Sequence, residues 1–350
     1  MARINRFVLV LLILGCTGCS TIEYYHQSIS GHFSLISKRE RITDLVNDST
    51  RDEKLIEQLL RAQQLRTFAS STLKLPDNNS YRSYVQLDKP YVTWNVFAAP
   101  EFSNGLQQWC FLVIGCVSYR GYFDEKDAQS YAASLAEQGL DVYIGGVPAY
   151  STLGWFDDPL LSTMLDRGEI VAASYIFHEL AHQQLYLQGD SAFNEAFATA
   201  VEELGVRKWL QQQQRINELN KYESWLEQKT IFSNFISNAQ QEFTQLYAQD
   251  LTPEAMRRAK MNKVTEIRGR FTELTKKYRQ LSRYAIWMSG PLNNAQMGAF
   301  ALYRDLVPVF SRIFELCNAD FERFYMRAKI ISELPEQQRE ILLAETNTCQ

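Results

Sequence analysis

The segment Ile170-Val171-Ala172-Ala173-Ser174-Tyr175-Ile176-Phe177-His178-Glu179-Leu180-Ala181-His182-Gln183-Gln184-Leu185-Tyr186 contains no glycine or proline, and its pattern predicts one uninterrupted helix. Histidine is scarce, four among 350 residues, and two of the four stand here as His-x-x-x-His. Residues i and i+4 share a helix face, so both imidazoles can meet a single ion. Glu179 falls about 100° round the helix from His178. There its carboxylate can take a proton from an ion-activated water instead of binding the ion itself. Two histidines flanking a glutamate in this way suit a bound metal ion with a base beside the water that it activates. Phe177, Leu180, Ala181, Gln183 and Gln184 are uncharged, which suits a helix lying beneath a cleft.

Catalytic zinc usually keeps three protein ligands and one open position. The remaining histidines, His26 and His32, lie near the N-terminus, and no cysteine is close in sequence, so an Asp or Glu must complete the set. Asn194 to Glu203 reads as a second helix entered from a turn at Gly189-Asp190. Glu195, on its first turn, is the expected third ligand. Asp190, Glu202 and Glu203 are the alternatives, and Glu202 shares the Glu195 face, where it can support a ligand from behind. The expected centre is one zinc ion per chain on His178, His182 and Glu195, with Glu179 as general base.

Outward from this pair of helices, residues 33–73 carry Leu35, Ile36, Ile42, Leu45, Val46, Leu55, Ile56, Leu59 and Leu60 at helical spacing, with Asn47-Asp48-Ser49-Thr50 as the cap of a second run. Beyond Pro76 the character changes. Tyr91 to Phe97, Phe111 to Ile114, Val117 to Tyr119 and Asp141 to Ile144 read as short strands, with a helix at Glu125 to Gln138. Gly145 to Gly154 lacks the spacing of a phosphate-binding loop. It reads as an edge strand beside the cleft, since Pro148 cannot donate to a central ladder. Residues 206–288 form a Gln-rich helical region broken at Asp250-Leu251, where Thr252 and Pro253 supply an N-cap and a first-turn proline. Leu292 to Glu315 and Phe321 to Ile331 are further helices. The expected fold class is α+β, predominantly helical: a zincin-like metallopeptidase core with a small mixed or antiparallel sheet and long C-terminal helices.

A net charge of -4, from 36 basic and 40 acidic residues, leaves no dominant basic patch and argues against nucleic acid as partner. Arg3 and Arg6 precede an unbroken apolar run from Phe7 to Leu14, too short to span a bilayer, and Gly15-Cys16-Thr17-Gly18-Cys19-Ser20 follows. This is the layout of an export signal ending in a lipobox. Two registers compete: Ile13-Leu14-Gly15-Cys16 fits the aliphatic-x-small-Cys pattern, whereas Cys19 gives the longer apolar stretch and leads into a polar tether. Cys19 is the expected lipidation site. Residues 1–18 are then the signal, 19–32 a membrane-proximal tether, and 33–350 a single metallopeptidase domain. Within that domain 33–75 is helical, 81–168 holds the sheet and edge strand, 169–210 the zinc helices, and 206–350 the remaining helices. Export into an oxidising space favours disulfides. Cys110 with Cys116, across a strand-turn segment, is the first expectation, leaving Cys317 with Cys349.

The segments His178-Glu179-Leu180-Ala181-His182-Gln183 and Asn194-Glu195-Ala196-Phe197-Ala198-Thr199 resemble those of the gluzincin peptidases, above all the large zinc aminopeptidases. Over most of the mature chain, through Tyr91 to Phe102, Trp109 to Asp124, Gly145 to Met164 and Leu292 to Tyr303, the sequence resembles a bacterial lipoprotein family of predicted aminopeptidases. The resemblance implies a zinc aminopeptidase acting on peptide substrates, lipid-anchored on the periplasmic face of the outer membrane of a Gram-negative bacterium. It implies a tyrosine that stabilises the developing oxyanion, and Tyr303 is the position that fits. The sequence departs from the aminopeptidases at Gly145 to Gly154, which lacks the glutamate that holds a substrate's free amine; Asp157 or Asp158 would have to serve, or else both cap a turn. Endopeptidase action by the same chemistry is therefore one alternative. A non-catalytic zinc-containing interaction protein of the envelope, presenting the Gln-rich helices, is another.

Overall fold

The computed structural model describes residues 22–111, 115–302, 306–345 and 348–349. Helix α1 covers 22–37. It is followed by β1 (Glu40–Arg41), α2 (Ile42–Leu45), α3 (Glu53–Ser71) and β2 (Ser83–Val85). The middle of the chain holds β3 (Thr93–Pro100), β4 (Trp109–Phe111), β5 (Gly115–Val117), β6 (Arg120–Tyr122), α4 (Glu125–Glu137), β7 (Leu140–Val147), β8 (Leu160–Leu161) and α5 (Ser162–Leu165). Helices dominate thereafter: α6 (Glu169–Gln184), α7 (Ser191–Gln212), α8 (Ile216–Tyr247), α9 (Pro253–Lys277), α10 (Ala285–Ser289), α11 (Asn294–Leu302), α12 (Val307–Leu316), α13 (Phe321–Ser332) and α14 (Glu336–Glu345). The class is α+β and mostly helical, as the sequence leads one to expect.

The sheets are small. β3 lies between β6 and β7, antiparallel to both, so β7 is an edge strand. β2 pairs antiparallel with β1 and parallel with β8, and β4 with β5 forms a hairpin. Alternation along β3 sends Trp94, Val96 and Ala98 toward Ala128, Ala132 and Leu135 of α4, and Phe97 and Ala99 toward Ala295 and Ala299 of α11. With apolar partners on both faces, β3 is a nearly continuous hydrophobic run. The largest core surrounds α6 and α7, where Phe177, Leu180, Phe193 and Phe197 meet Leu59 and Leu65 of α3, Phe310 of α12 and Phe324 of α13. A second core, built on Phe232, Ile236, Phe243, Ile267 and Phe271, holds α8 against α9.

Four differences from the sequence reading have local causes. Residues 22–32, expected as a tether, belong to α1. Its serines and glycine give weak intrinsic propensity, and packing of Leu35 and His32 supplies what propensity does not. The expected helix over 33–73 breaks between residues 38 and 52, and the cap of α3 is Asp52, which accepts from Leu55 N at 2.9 Å, in place of Asn47 to Thr50. The stretch 292–315 divides into α11 and α12, because Pro308 fits a first turn but not a helix interior. The edge strand ends at Val147, so it includes only the start of Gly145 to Gly154; the rest is a loop with Leu153 and Gly154 at positive φ. Cys110 and Cys116, paired in register across the β4–β5 hairpin, form a disulfide, and a second joins Cys317 to Cys349.

Candidate metal centre

Helix α6 ends at Gln184 because Leu185 is extended, and a short turn leads back to α7. The Asn194 side chain holds that turn from both sides, accepting from Leu187 N at 2.7 Å and donating to Leu187 O at 2.8 Å. Asp190 caps α7 by accepting from Phe193 N at 2.9 Å, and Gly189 takes the left-handed conformation, φ 86°, that the reversal needs. Arg339 of α14 closes on the other Asp190 oxygen at 2.7 Å. The turn thereby sets the first residues of α7 against the middle of α6.

Three side chains converge there. His178 Nε2 lies 3.2 Å from His182 Nε2 and 3.3 Å from Glu195 Oε2, and His182 Nε2 lies 3.6 Å from the same oxygen. Zinc bound tetrahedrally at about 2.0–2.1 Å holds its ligand atoms about 3.3 Å apart. The three separations match that edge length, and two imidazole nitrogens with one carboxylate oxygen are a donor set zinc accepts. Among the described residues this is the cluster of His, Cys, Asp or Glu dense enough to hold a metal. Glu202, two turns beyond Glu195, approaches His178 Nδ1 at 3.1 Å and thus grips the ring from the side away from the cluster. The other two alternatives are engaged elsewhere: Asp190 in its cap and with Arg339, Glu203 with Lys229 at 3.3 Å.

The electrostatics of the cluster follow from its burial and its carboxylates. Burial disfavours a charged His178, yet the Glu195 and Glu202 carboxylates hold its proton so firmly that its pKa rises to about 10. Burial would likewise raise Glu195, but the charges of His182 and His178 pull it down to about 2. The carboxylates therefore favour positive charge at this point, which a metal bound there would also supply. Burial keeps the Glu179 carboxyl above its ordinary value, with the two histidines opposing.

These residues open onto a cavity of about 820 Å³. Gly145, Gly146 and Val147 of the edge strand β7 form one wall, with the glycine-free loop segment Thr152-Leu153 beyond them. Aromatic side chains line much of the rest. Three of them, Tyr119, Tyr175 and Tyr186, were not singled out by the sequence, since they come from separate elements and carry no motif. Burial, and for Tyr119 the nearby Glu195 and Glu179 charges, push its phenol well above its ordinary value, so it is a neutral hydrogen-bond donor. Asp158 does not line the cavity; it braces the loop, accepting from Thr152 N at 2.9 Å and Thr152 Oγ1 at 2.8 Å. Asp157 is exposed, and its carbonyl accepts from Arg39. Tyr303, Cys19 and Cys16 lie outside the described residues.

No curated protein and no solved structure matches the chain. A family model does match, over residues 23–343, which takes in α6 and α7, the sheets and most of the C-terminal helices. The chain belongs to the family described as "Putative aminopeptidase".

Proposed function

We propose that the chain is a zinc-dependent peptidase with a zincin-like core, in which His178, His182 and Glu195 hold one zinc ion. The observation that carries this reading is the set of three separations, 3.2, 3.3 and 3.6 Å, between donor atoms of the kinds zinc selects. Zinc bound there would supply a Lewis acid that makes a water nucleophilic near neutral pH. Glu179, beside the two histidines, would take a proton from such a water and deliver it to the departing amine. Glu202 holds the Nδ1 proton of His178 and so turns the Nε2 lone pair toward the ion. The free edge of β7 offers backbone donors and acceptors to an extended peptide. A tyrosine hydroxyl steadies the oxyanion, from Tyr119 on the cavity wall or from Tyr303, which the sequence suggests. The protein is exported and anchored by lipid at Cys19 on the periplasmic face of the outer membrane.

The family description favours aminopeptidase action. A specific observation favours the endopeptidase reading: among the described residues, the carboxylates lining the cavity are Glu179, Glu195 and Glu202, all placed about the metal cluster. None is left to capture a free amine. Peptides with free and with acetylated N-termini separate the two, because an aminopeptidase spares the blocked set. For the shared chemistry the test is Glu179→Gln. Cleavage should fall about 10²–10⁴-fold with zinc content unchanged. Unchanged cleavage refutes the assignment, and intact cellular function in a variant without cleavage favours a zinc-containing interaction protein of the envelope.

A further inference from the structure

Helix α1 presents two distinct faces. Tyr24, Ser28 and His32, at successive turns, line the metal cavity. Ile22, Ile29 and Phe33 are 70%, 55% and 56% exposed. At about 100° per residue, the centres of these two sets lie about 120° apart around the helix. The exposed set continues onto the loop before β8. Trp155 and Phe156 are 72% and 48% exposed and also belong to the cavity rim. The Phe156 ring lies 4.7 Å from the His32 ring, which in turn lies 5.7 Å from Phe33. Arg39 secures the loop to the end of the helix by donating to Asp157 O at 2.9 Å. Ile29, Phe33, Trp155 and Phe156 therefore make one apolar patch beside the cavity mouth.

A patch of large apolar side chains on the surface marks a place where something apolar is met. Three features point to a bilayer. Ile22 follows Cys19 by three residues, so a lipidated Cys19 can stand no more than about 11 Å away along the chain. Over residues 22–39 the one acidic side chain is Glu23, and the segment ends in the basic pair Lys38 and Arg39. Trp and Phe are the side chains that settle at the boundary between headgroups and acyl chains. No helix among the described residues is long and apolar enough to cross a membrane, so contact would lie along the surface. We propose that Ile29, Phe33, Trp155 and Phe156 rest in the headgroup region of the membrane that carries the anchor, so that the cavity mouth opens at the lipid surface. This placement rests on the Cys19 anchor proposed above.

The experiment uses the full chain with phosphatidylcholine vesicles whose acyl chains are brominated near the carbonyl end. Flotation reads attachment, and tryptophan quenching reads contact. The expected result is a floating chain with part of its emission quenched, that part being lost in Trp155→Phe and largely lost in the Ile29→Ser, Phe33→Ser double variant, both of which still float. A floating chain without quenching that depends on Trp155 overturns the patch and leaves the anchor standing. A chain that does not float overturns both. Shielding of Trp155 from iodide that grows with protein concentration in the absence of lipid would assign the patch to a second copy of the chain and also overturn the proposal. Zinc content and peptide cleavage, measured on the same samples, report separately on the peptidase reading.

Discussion

His178 is held from two sides, by Glu195 at Nε2 and by Glu202 at Nδ1, and the two contacts have different consequences. On the proposed assignment Glu202 would orient a zinc ligand without competing for the metal, so Glu202→Gln should weaken zinc binding about 10–100-fold while the zinc:chain ratio at saturation stays the same. Competition with a chromogenic chelator measures this, and unchanged affinity would mean that the contact does not support the ligand. Asp158 gives a prediction of another kind. Burial raises its pKa from 3.8 to about 6, with the Thr152 bonds opposing. Its folded pKa exceeds the unfolded one, so between about pH 4 and pH 6 the folded state binds more protons and stability falls as pH rises. The effect is on the order of 2 kcal/mol. Relative to Asp158→Asn, the wild-type chain should lose that much on going from about pH 4.5 to about pH 7.5, measured by urea unfolding; parallel pH curves would contradict it. The motif residues were legible in the sequence because their geometry is local to one helix. Glu195 required elimination among carboxylates, and Tyr119 gave no signal, because only the folded sheet brings it to the cavity.

At the scale of elements, the centre depends on how closely α7 approaches α6. Gly205 makes the approach possible: a Cβ there would stand 2.7 Å from Leu73 and 2.9 Å from Phe177, both fully buried. Gly205→Val should therefore cost about 1–3 kcal/mol by overpacking and also weaken zinc binding, since Phe177 adjoins His178. Equal stability by chemical denaturation would show that the helices yield without strain. Helix limits in this region could be read closely from the sequence, with 170–186 expected and Glu169–Gln184 observed. The Thr252 cap and Pro253 start of α9 could be read too, because capping chemistry is local. Helix α1 could not, since a segment rich in serine after an export signal reads as a tether until the surface it packs on is known. The edge strand was misjudged at its end for a related reason: a buried carboxylate, Asp158, organises the loop that glycine and proline alone seemed to extend.

For the whole molecule, a zinc ion at the proposed centre would join the large core to the cavity. His178 and His182 come from α6 and Glu195 from α7, so zinc would tie together the two helices on which α3, α12 and α13 also pack. Ligand binding to the folded state alone stabilises it by about 4 kcal/mol when free ligand is 1,000-fold above its Kd. Chelation should accordingly lower the melting temperature, and added zinc should restore it; a melting curve indifferent to both would indicate a core that does not rely on the ion. The overall class was legible because helical and strand periodicities occupy different stretches of the chain. The cavity was not, being assembled from α1, β3, β7, α6, α7 and α11 through contacts far apart in sequence. The most direct measurement is the zinc content of the purified full chain by mass spectrometry, beside that of the His178→Ala, His182→Ala double variant. About one zinc per chain is expected in the first and none in the second. A wild-type chain that cleaves peptides without zinc, or a double variant that keeps its zinc, would contradict it.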